Sequence, residues 1–221
     1  MRQDRHYYRI GLLAVMLALA GCATQPAGTP YAEKTVDGLK RVKTPRVDVA
    51  YVRPGADFSR YHKVMIKSVE VRFVKDWAKE HRGVTPADQE RIKQGLAKLF
   101  RKVFKDELQN KGGIPVVDKP GPDVLAINAQ LIDLDVNAPD TLPGGRVTTY
   151  VTSAGSVTLL GELTDSVSGE ILARVADHRE ARRYVDHFEI ANRVTNSMEA
   201  RRVLRYWADL LRRHLNAVKS G

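Results

Sequence analysis

Cys22 is the only cysteine in this 221-residue sequence, and a thiol can serve as a nucleophile, a metal ligand or an attachment point. A disulfide within the chain needs a second cysteine, and zinc sites need several Cys or His ligands at fixed spacing. A catalytic thiol needs a base held beside it, whereas Cys22 precedes a stretch rich in Pro, Gly and Thr that offers no scaffold. We therefore expect Cys22 to be an attachment point.

The histidines do not form a recognisable catalytic or metal-binding arrangement. No two of the six have the spacing of a metal pair on a helix. Asp177-His178 and Asp186-His187 could be imagined as parts of a hydrolase. Neighbouring residues on a strand face opposite ways, however, so neither pair makes a hydrogen-bonded dyad by itself.

Paired carboxylates and phosphate-binding loops give no stronger signal for catalysis. Asp133 and Asp135 share a predicted strand face and could act as an acid and base pair, although the solvent side of that strand is their expected place. The sequence lacks G-x-S-x-G, G-x-x-x-x-G-K and G-x-G-x-x-G. We predict no catalytic residue, no metal site, no cofactor and no enzymatic activity.

The segment before Cys22 has the layout of a signal peptide. Arg2, Arg5 and Arg9 precede an uncharged apolar run over residues 10–20. A transmembrane helix needs about 20 apolar residues, so this run can engage a secretion channel but is too short to span a bilayer. We therefore predict a signal peptide over residues 1–21.

Leu19, Ala20, Gly21 and Cys22 resemble the lipobox of bacterial lipoproteins. The resemblance implies cleavage before Cys22, followed by acylation of its thiol with chains such as palmitate. Ala18-Leu19-Ala20 also satisfies the ordinary A-x-A rule, which would cut after Ala20 and leave a free thiol. The two cleavage products remain alternatives.

Residues 22–35 are mostly small and polar, which predicts a flexible tether after a lipidated cysteine. A coil of this length spans on the order of 20 Å. Residues 36–221 are long enough for a single domain. Loss of three arginines and one aspartate with the signal peptide lowers the formal charge from +10 to +8. An exported basic protein meets anionic lipid, cell-wall polymers or acidic envelope proteins, so these are the expected partners, and nucleic acid is not.

Two segments have the periodicity of amphipathic helices. The first, over about 86–110, begins after the capping residue Thr85 and ends at Gly112 and Gly113. The second, over about 196–218, starts at Asn196, which has capping-box spacing to Glu199. Their basic residues could hold anionic lipid or a cell-wall strand, although a charged helix face is more often merely solvated; these are Lys93, Lys98, Lys102, Lys105, Arg201, Arg202, Arg205, Arg212 and Arg213.

Alternating segments predict strands at about 64–73, 114–117, 125–136, 147–163 and 171–175. Changes of phase indicate bulges between Ile66 and Val69 and near residues 131–132. Two helices are both buried when they lie across one face of a twisted sheet. We predict an α+β fold of two layers, with an antiparallel sheet of four to five strands and both helices on one face.

Three segments of the predicted domain carry a family resemblance: AYVRPGADFSRY at 50–61, GPDVL at 121–125 and DSVSGE at 165–170. Together with Asp37-Gly38-Leu39 and the lipobox, they resemble the uncharacterised bacterial lipoproteins grouped as domain of unknown function 3313. This family has no established activity, so the resemblance carries over only Cys22 as the lipid acceptor.

The resemblance favours a non-catalytic binding, assembly or envelope-maintenance module that is attached to the membrane through Cys22. By analogy with enteric lipoproteins, Ala23 implies the periplasmic side of the outer membrane, with the outer leaflet of the inner membrane as the alternative. A lipid or glycan carrier is the second candidate, and it would need an apolar cavity between helices and sheet. An envelope hydrolase is the third.

Overall fold

A computed structural model describes residues 31–81, 83–136, 149–151, 155–180, 189–191 and 193–219. For residues 149–151, 189–191 and 193–196 it describes the backbone alone. The lipobox with Leu19, Ala20, Gly21 and Cys22 lies outside these residues, and so does His187. No helix in the described ranges is both long enough and apolar enough to cross a membrane.

The described chain contains eight strands and three α-helices. The strands are β1 (Lys40–Val42), β2 (Val49–Val52), β3 (Lys63–Phe73), β4 (Val124–Val136), β5 (Thr149–Val151), β6 (Gly155–Asp165), β7 (Ile171–Glu180) and β8 (Glu189–Ala191). The helices are α1 (Trp77–Glu80), α2 (Pro86–Lys105), which continues as a π-helix (Asp106–Lys111), and α3 (Arg193–Lys219).

The α+β class is confirmed, but the sheet is larger than predicted and is mixed. Its strand order is β1-β2-β7-β6-β4-β3, and β5 pairs separately with β8. All neighbours in the six-stranded sheet are antiparallel except β3 and β4. A strand–helix–strand crossover returns the chain in its original direction, and α2 is this crossover, so β3 and β4 pair in parallel. The strands β1 and β2 are too short for alternation to reveal them.

Other strand predictions need smaller corrections. The predicted strand at 147–163 is two strands, and β6 begins at Gly155, whose φ of +127° suits glycine because a Cβ there would lie 2.0 Å from the Asp135 carbonyl oxygen. The segment 114–117 forms only one parallel bridge, from Val116 to Val64. The bulge in β3 lies between Ile66 and Ser68, as predicted. The bulge in β4 lies further along than predicted, between residues 132 and 135.

The long helices follow the predicted positions, with one correction at the start of α3. Thr85 caps α2 through a reciprocal capping box with Asp88. The π-helical continuation of α2 ends at Lys111. The helix α3 begins at Arg193, so Asn196 lies inside its first turn and is not the cap. The strand β8 ends at Ala191, so the helix begins closer to the preceding strand than the capping-box pattern indicates.

Both long helices pack on the same face of the sheet, as predicted. The opposite face carries polar pairs such as Arg174 with Glu162, whose Nε and Oε1 atoms are 2.7 Å apart. Buried side chains from both helices and from β4 form one hydrophobic cluster, which includes Phe100, Phe104, Leu108, Leu125, Leu131, Leu204, Trp207 and Leu215.

The first described residues are tied to β1. The Arg41 N–H donates to the Glu33 carbonyl oxygen at 2.9 Å, and the Thr35 N–H donates to the Leu39 carbonyl oxygen at 2.9 Å. These contacts involve residues that the sequence assigns to the tether.

Candidate functional site

A row of mostly small residues crosses the middle of the sheet on its helix-facing side. Ala129 of β4 pairs with Gly161 of β6, Gly161 pairs with Val175 of β7, and Val175 pairs with Ala50 of β2. Small side chains at consecutive positions of neighbouring strands leave space above the sheet that larger residues would fill. The register of the strands thus places a gap beneath the helices.

The helices roof this gap without filling it. Phe100 and Phe104 of α2 and Trp207 and Leu211 of α3 face the row of small residues across a cavity of about 550 Å³, which we call the apolar cavity. Ligand sites in proteins typically have volumes of about 300–1,000 Å³ and apolar walls. The cavity therefore has the size and lining of a small-molecule site.

The open side of the apolar cavity is basic. The loop between β1 and β2 contributes Lys43 and Arg46, which are exposed, and α3 contributes Arg213. The Nε atom of Arg213 lies 2.7 Å from a carboxylate oxygen of Asp209. Within the described ranges, Lys43 and Arg46 have no carboxylate partner for their side chains. We call Lys43, Arg46 and Arg213 the cationic mouth.

A buried carboxylate fixes the aromatic wall of the apolar cavity. Asp177 is fully buried and accepts hydrogen bonds from Trp207 Nε1 at 2.7 Å and from Arg179 Nε at 2.6 Å. The backbone N–H of Asp48 donates a third bond to Asp177, at 3.1 Å. A buried charge is costly unless it is paired, and these donors supply the pairing. Asp177 thereby sets the orientation of Trp207 over the sheet.

The same network holds the loop that carries the cationic mouth. The Tyr206 hydroxyl and the Arg179 guanidinium both donate to the Arg46 carbonyl oxygen, at 2.6 and 2.8 Å. Burial lowers the pKa of Arg179, but the hydrogen bond and charge of Asp177 outweigh it and raise that pKa above its usual value. The loop is therefore anchored by a permanently charged side chain.

Among the described residues, neither Asp177 with His178 nor Asp133 with Asp135 forms a catalytic dyad, and Asp186-His187 lies outside those residues. Asp177 faces α3, whereas the His178 ring lies on the opposite face, 2.9 Å from Thr158 Oγ1. Asp133 lies in the β4 bulge at a φ of +50°, outside the paired register that Asp135 keeps with Ser156. Within the described ranges no three His, Cys, Asp or Glu side chains are grouped so that they could hold a metal ion.

The three motif segments at 50–61, 121–125 and 165–170 meet at one end of the sheet, which we call the motif junction. Asp165 is at its centre and accepts the Tyr61 hydroxyl at 2.9 Å and the Ser168 and Val167 N–H groups at 2.8 and 3.0 Å. The hydrogen bond from the Ser168 backbone, with those from Tyr61 and Val167, outweighs burial and lowers the pKa of Asp165 to about 2. A carboxylate so stabilised is a poor base.

The rest of the motif junction is joined by similar local bonds. Burial and the bond to Asp165 raise the pKa of Tyr61 to about 12, so its hydroxyl remains a donor. Ser166 exchanges hydrogen bonds with both backbone groups of Gly121, and Arg53 lies 3.1 Å from a carboxylate oxygen of Glu170. An open cleft of about 560 Å³ lies over these groups. The polar groups of the motif junction form hydrogen bonds and ion pairs with one another, so the junction acts as a structural clamp.

Some of the basic helix residues come together between the two helices. Lys102 and Lys105 of α2 face Arg201 and Arg205 of α3 across a groove of about 340 Å³. Beneath it, Glu107 is buried and forms ion pairs with Lys111 and Arg205. Part of the charge is thus balanced within the molecule.

Residues 30–211 match the family described as protein of unknown function (DUF3313). The chain belongs to this family. The match includes all three motif segments, so the predicted resemblance is confirmed. A search of curated proteins gives no match.

Two solved structures superpose on this chain with low TM-scores. The PelC dodecamer from Paraburkholderia phytofirmans is 12% identical, with a TM-score of 0.34 over 76% of this chain and 95% of that one. A candidate lipoprotein from Caulobacter crescentus CB15 is 14% identical, with a TM-score of 0.33 over 75% of this chain and 93% of that one. These scores are too low for any argument about this protein.

The apolar cavity was missed at the sequence level, although its floor left a trace. Ala50, Ala129, Gly161 and Ala173 are small residues inside strands, where larger apolar residues are usual. Only the pairing register shows that they are neighbours. The sequence does not contain that register, so their coincidence could not be found from it.

Proposed function

We propose that this protein is a non-catalytic binding module of the bacterial envelope that holds an apolar ligand in the apolar cavity. The observation that carries this proposal is the gap of about 550 Å³ between the small-residue row and Trp207. It is the feature that a lipid carrier requires, and it favours that candidate over an assembly factor that binds only through its surface. A hydrolase has less support, because Asp165 and Asp177 are occupied by structural donors.

We propose that a lipid on Cys22 attaches the protein to the periplasmic side of the outer membrane. The lipobox pattern and Ala23 support this location. A protein so placed faces bilayers and lipid intermediates, which are sources of apolar ligands. The outer leaflet of the inner membrane is the alternative site.

Lipid attachment is tested by Cys22→Ser in the full chain. We expect an unprocessed precursor that incorporates no labelled fatty acid, because only the thiol of this segment can form the thioether. Gel mobility and radiolabel uptake measure the outcome. Normal processing of the variant would show that the ordinary signal peptidase cuts the chain, and fractionation of the wild-type membranes distinguishes the two membranes.

Ligand binding is tested with a fatty acid brominated along its chain, because bromine quenches tryptophan on contact. The protein is the non-lipidated mature chain, residues 22–221 with Cys22→Ser. Trp207 lines the apolar cavity and Trp77 does not, so we expect saturable, partial quenching. Trp77 provides an internal reference.

A matched pair of variants separates cavity binding from surface binding. Ala173→Leu places a larger side chain into the apolar cavity, and Ala176→Leu makes the same change on the opposite face of β7. We expect at least a tenfold loss of affinity for Ala173→Leu and no change for Ala176→Leu. Equal affinities for the two variants would contradict the proposed function.

A further inference from the structure

The charge around the apolar cavity indicates which kind of apolar ligand it takes; this inference rests on the proposed function. Lys43 and Arg46 are exposed at the cationic mouth and have no carboxylate partner among the described residues. Arg213 shares its carboxylate partner within the described ranges, Asp209, with Arg212. The mouth therefore carries more positive charge than the neighbouring carboxylates balance.

The acidic residue that contacts the cavity does not offset this charge. Glu162 is the carboxylate among the lining residues, and its Oε1 atom lies 2.7 Å from Arg174 Nε on the outer face of the sheet. Asp48 is the last residue of the loop between β1 and β2, and its carboxylate accepts the backbone N–H of His178 at 2.8 Å. An anion at the mouth would thus meet three cations without a competing free carboxylate from the described lining.

The backbone of the loop that carries Lys43 and Arg46 is also held in place before a ligand arrives. Tyr206 and Arg179 bind the carbonyl oxygen of Arg46, and Arg179 is fixed in turn by Asp177. Arg179 further lies over the Tyr206 ring, with its Cζ atom 4.4 Å from the ring centroid. A loop whose backbone is already fixed loses less conformational freedom on binding than a mobile one.

We propose that the ligand is an amphiphile with an acyl chain and an anionic headgroup. The acyl chain lies between the small-residue row and Trp207, and the headgroup lies at Lys43, Arg46 and Arg213. The anionic headgroup is inferred from charge complementarity with the cationic mouth. The acyl chain is inferred from the apolar lining of the cavity. Either a carboxylate or a phosphate monoester could form ion pairs with these three cations.

The test compares ligands of one chain length below their micelle-forming concentrations. A saturated fatty acid, the matching alkyl phosphate, the fatty alcohol and the alkylamine are titrated into the mature Cys22→Ser chain by competition with the brominated probe. Exposed ion pairs each change affinity by factors of about 1.5–5, so we expect the two anions to bind about fivefold to tenfold more tightly than the alcohol. The amine should bind most weakly. Which anion binds more tightly distinguishes a carboxylate source from a phosphate source.

Charge-neutral variants locate the headgroup. In Lys43→Gln/Arg46→Gln we expect the anion preference to fall at least threefold, with affinity for the alcohol unchanged. The control variant Lys98→Gln/Lys102→Gln also removes two positive charges, but from α2 and away from the cavity lining, so it should keep the preference for anions. Higher salt should reduce the preference in the wild type, because exposed charges are screened.

The outcomes separate this inference from the proposed function. Equal affinity for acid and alcohol, or tightest binding of the amine, would overturn the anionic headgroup while leaving the cavity as a binding site. Failure of the brominated fatty acid to quench Trp207 would overturn both. A dimer in sedimentation that Ala173→Leu dissociates would show that a second copy of the chain covers the cavity, which also overturns the inference.

Discussion

The motif junction and the apolar cavity lie on one domain and are built in opposite ways. At the motif junction, short hydrogen bonds join three chain segments around the buried carboxylate of Asp165. At the apolar cavity, small residues in register leave space that the helices do not fill. Within the described ranges, two buried side-chain polar atoms lack a hydrogen-bond partner, Trp77 Nε1 and Arg212 Nε, and neither belongs to the motif junction.

This difference separates the residues that identify the family from those that we assign to ligand binding. The segments at 50–61, 121–125 and 165–170 carry the resemblance, and they form the clamp that joins β3, β4 and the β6–β7 turn. The small residues of the cavity floor, Ala50, Ala129 and Gly161, have no side-chain chemistry of their own and form no motif. A sequence pattern thus points most clearly to the part of the protein that holds the fold together.

The largest effect that the comparison predicts is loss of stability when the motif junction is broken. Asp165→Ala leaves the buried Tyr61 hydroxyl and two backbone N–H groups without their acceptor. We expect the free energy of unfolding to fall by about 3–4 kcal/mol, measured by urea denaturation. Asp57→Ala, in an exposed turn with Ser59, is the control and should unfold close to the wild type. A stable Asp165→Ala that had lost ligand binding would reverse the assignment of the two regions.

The lowered pKa of Asp165 predicts how the stability of the motif junction depends on pH. Its ordinary pKa of 3.8 applies to the unfolded chain and falls to about 2 in the folded protein, so the ionised form favours folding above pH 4. We expect this contribution, about 2 kcal/mol, to disappear as the pH falls from 4 through 2. The measurement is the stability difference between wild type and Asp165→Asn across that range. A difference that grows on acidification would contradict the account.

At the apolar cavity, a larger side chain should have the opposite effect on stability. Ala173→Leu buries additional carbon atoms in empty space, and we expect about 1 kcal/mol of added stability. In a well-packed core the same change would cost about 1–3 kcal/mol. Thermal unfolding of Ala173→Leu beside Ala176→Leu measures the sign, and destabilisation specific to Ala173→Leu would argue that no usable cavity exists.

The smallest predicted effect is on the stability of variants at the cationic mouth. Lys43 and Arg46 are exposed and have no carboxylate partner in the described structure, so Lys43→Gln/Arg46→Gln should change stability by less than about 0.5 kcal/mol. The anion preference should fall in the same variant. A large loss of stability would show that these cations hold the loop rather than a ligand.

Local sequence signals predicted the helices well and the sheet only in part. Thr85 and Asp88 form the capping box that the start of α2 requires, and the two glycines after Lys111 end the helix. Such signals act within a few residues of each other and are visible in the sequence. The predicted start of α3 was wrong by three residues, because the helix begins at Arg193 and Asn196 lies within its first turn.

The sheet and the cavity depend on contacts between distant residues. The parallel pair β3–β4 results from the path of the chain through α2, and the small-residue row exists only once four strands are in register. The contact of Asp177 with Trp207 joins residues that are 30 positions apart, which no local spacing predicts. Periodicity shows that a strand has a buried face, but it does not show which residues lie beside that face.

The most direct test of the binding site is a crystal structure of the mature Cys22→Ser chain with the brominated fatty acid, using the anomalous scattering of bromine. The account predicts an anomalous peak between Gly161 and Trp207, with the carboxylate near Arg46. Peaks confined to the protein surface, or a cavity filled by side chains in the crystal, would contradict it.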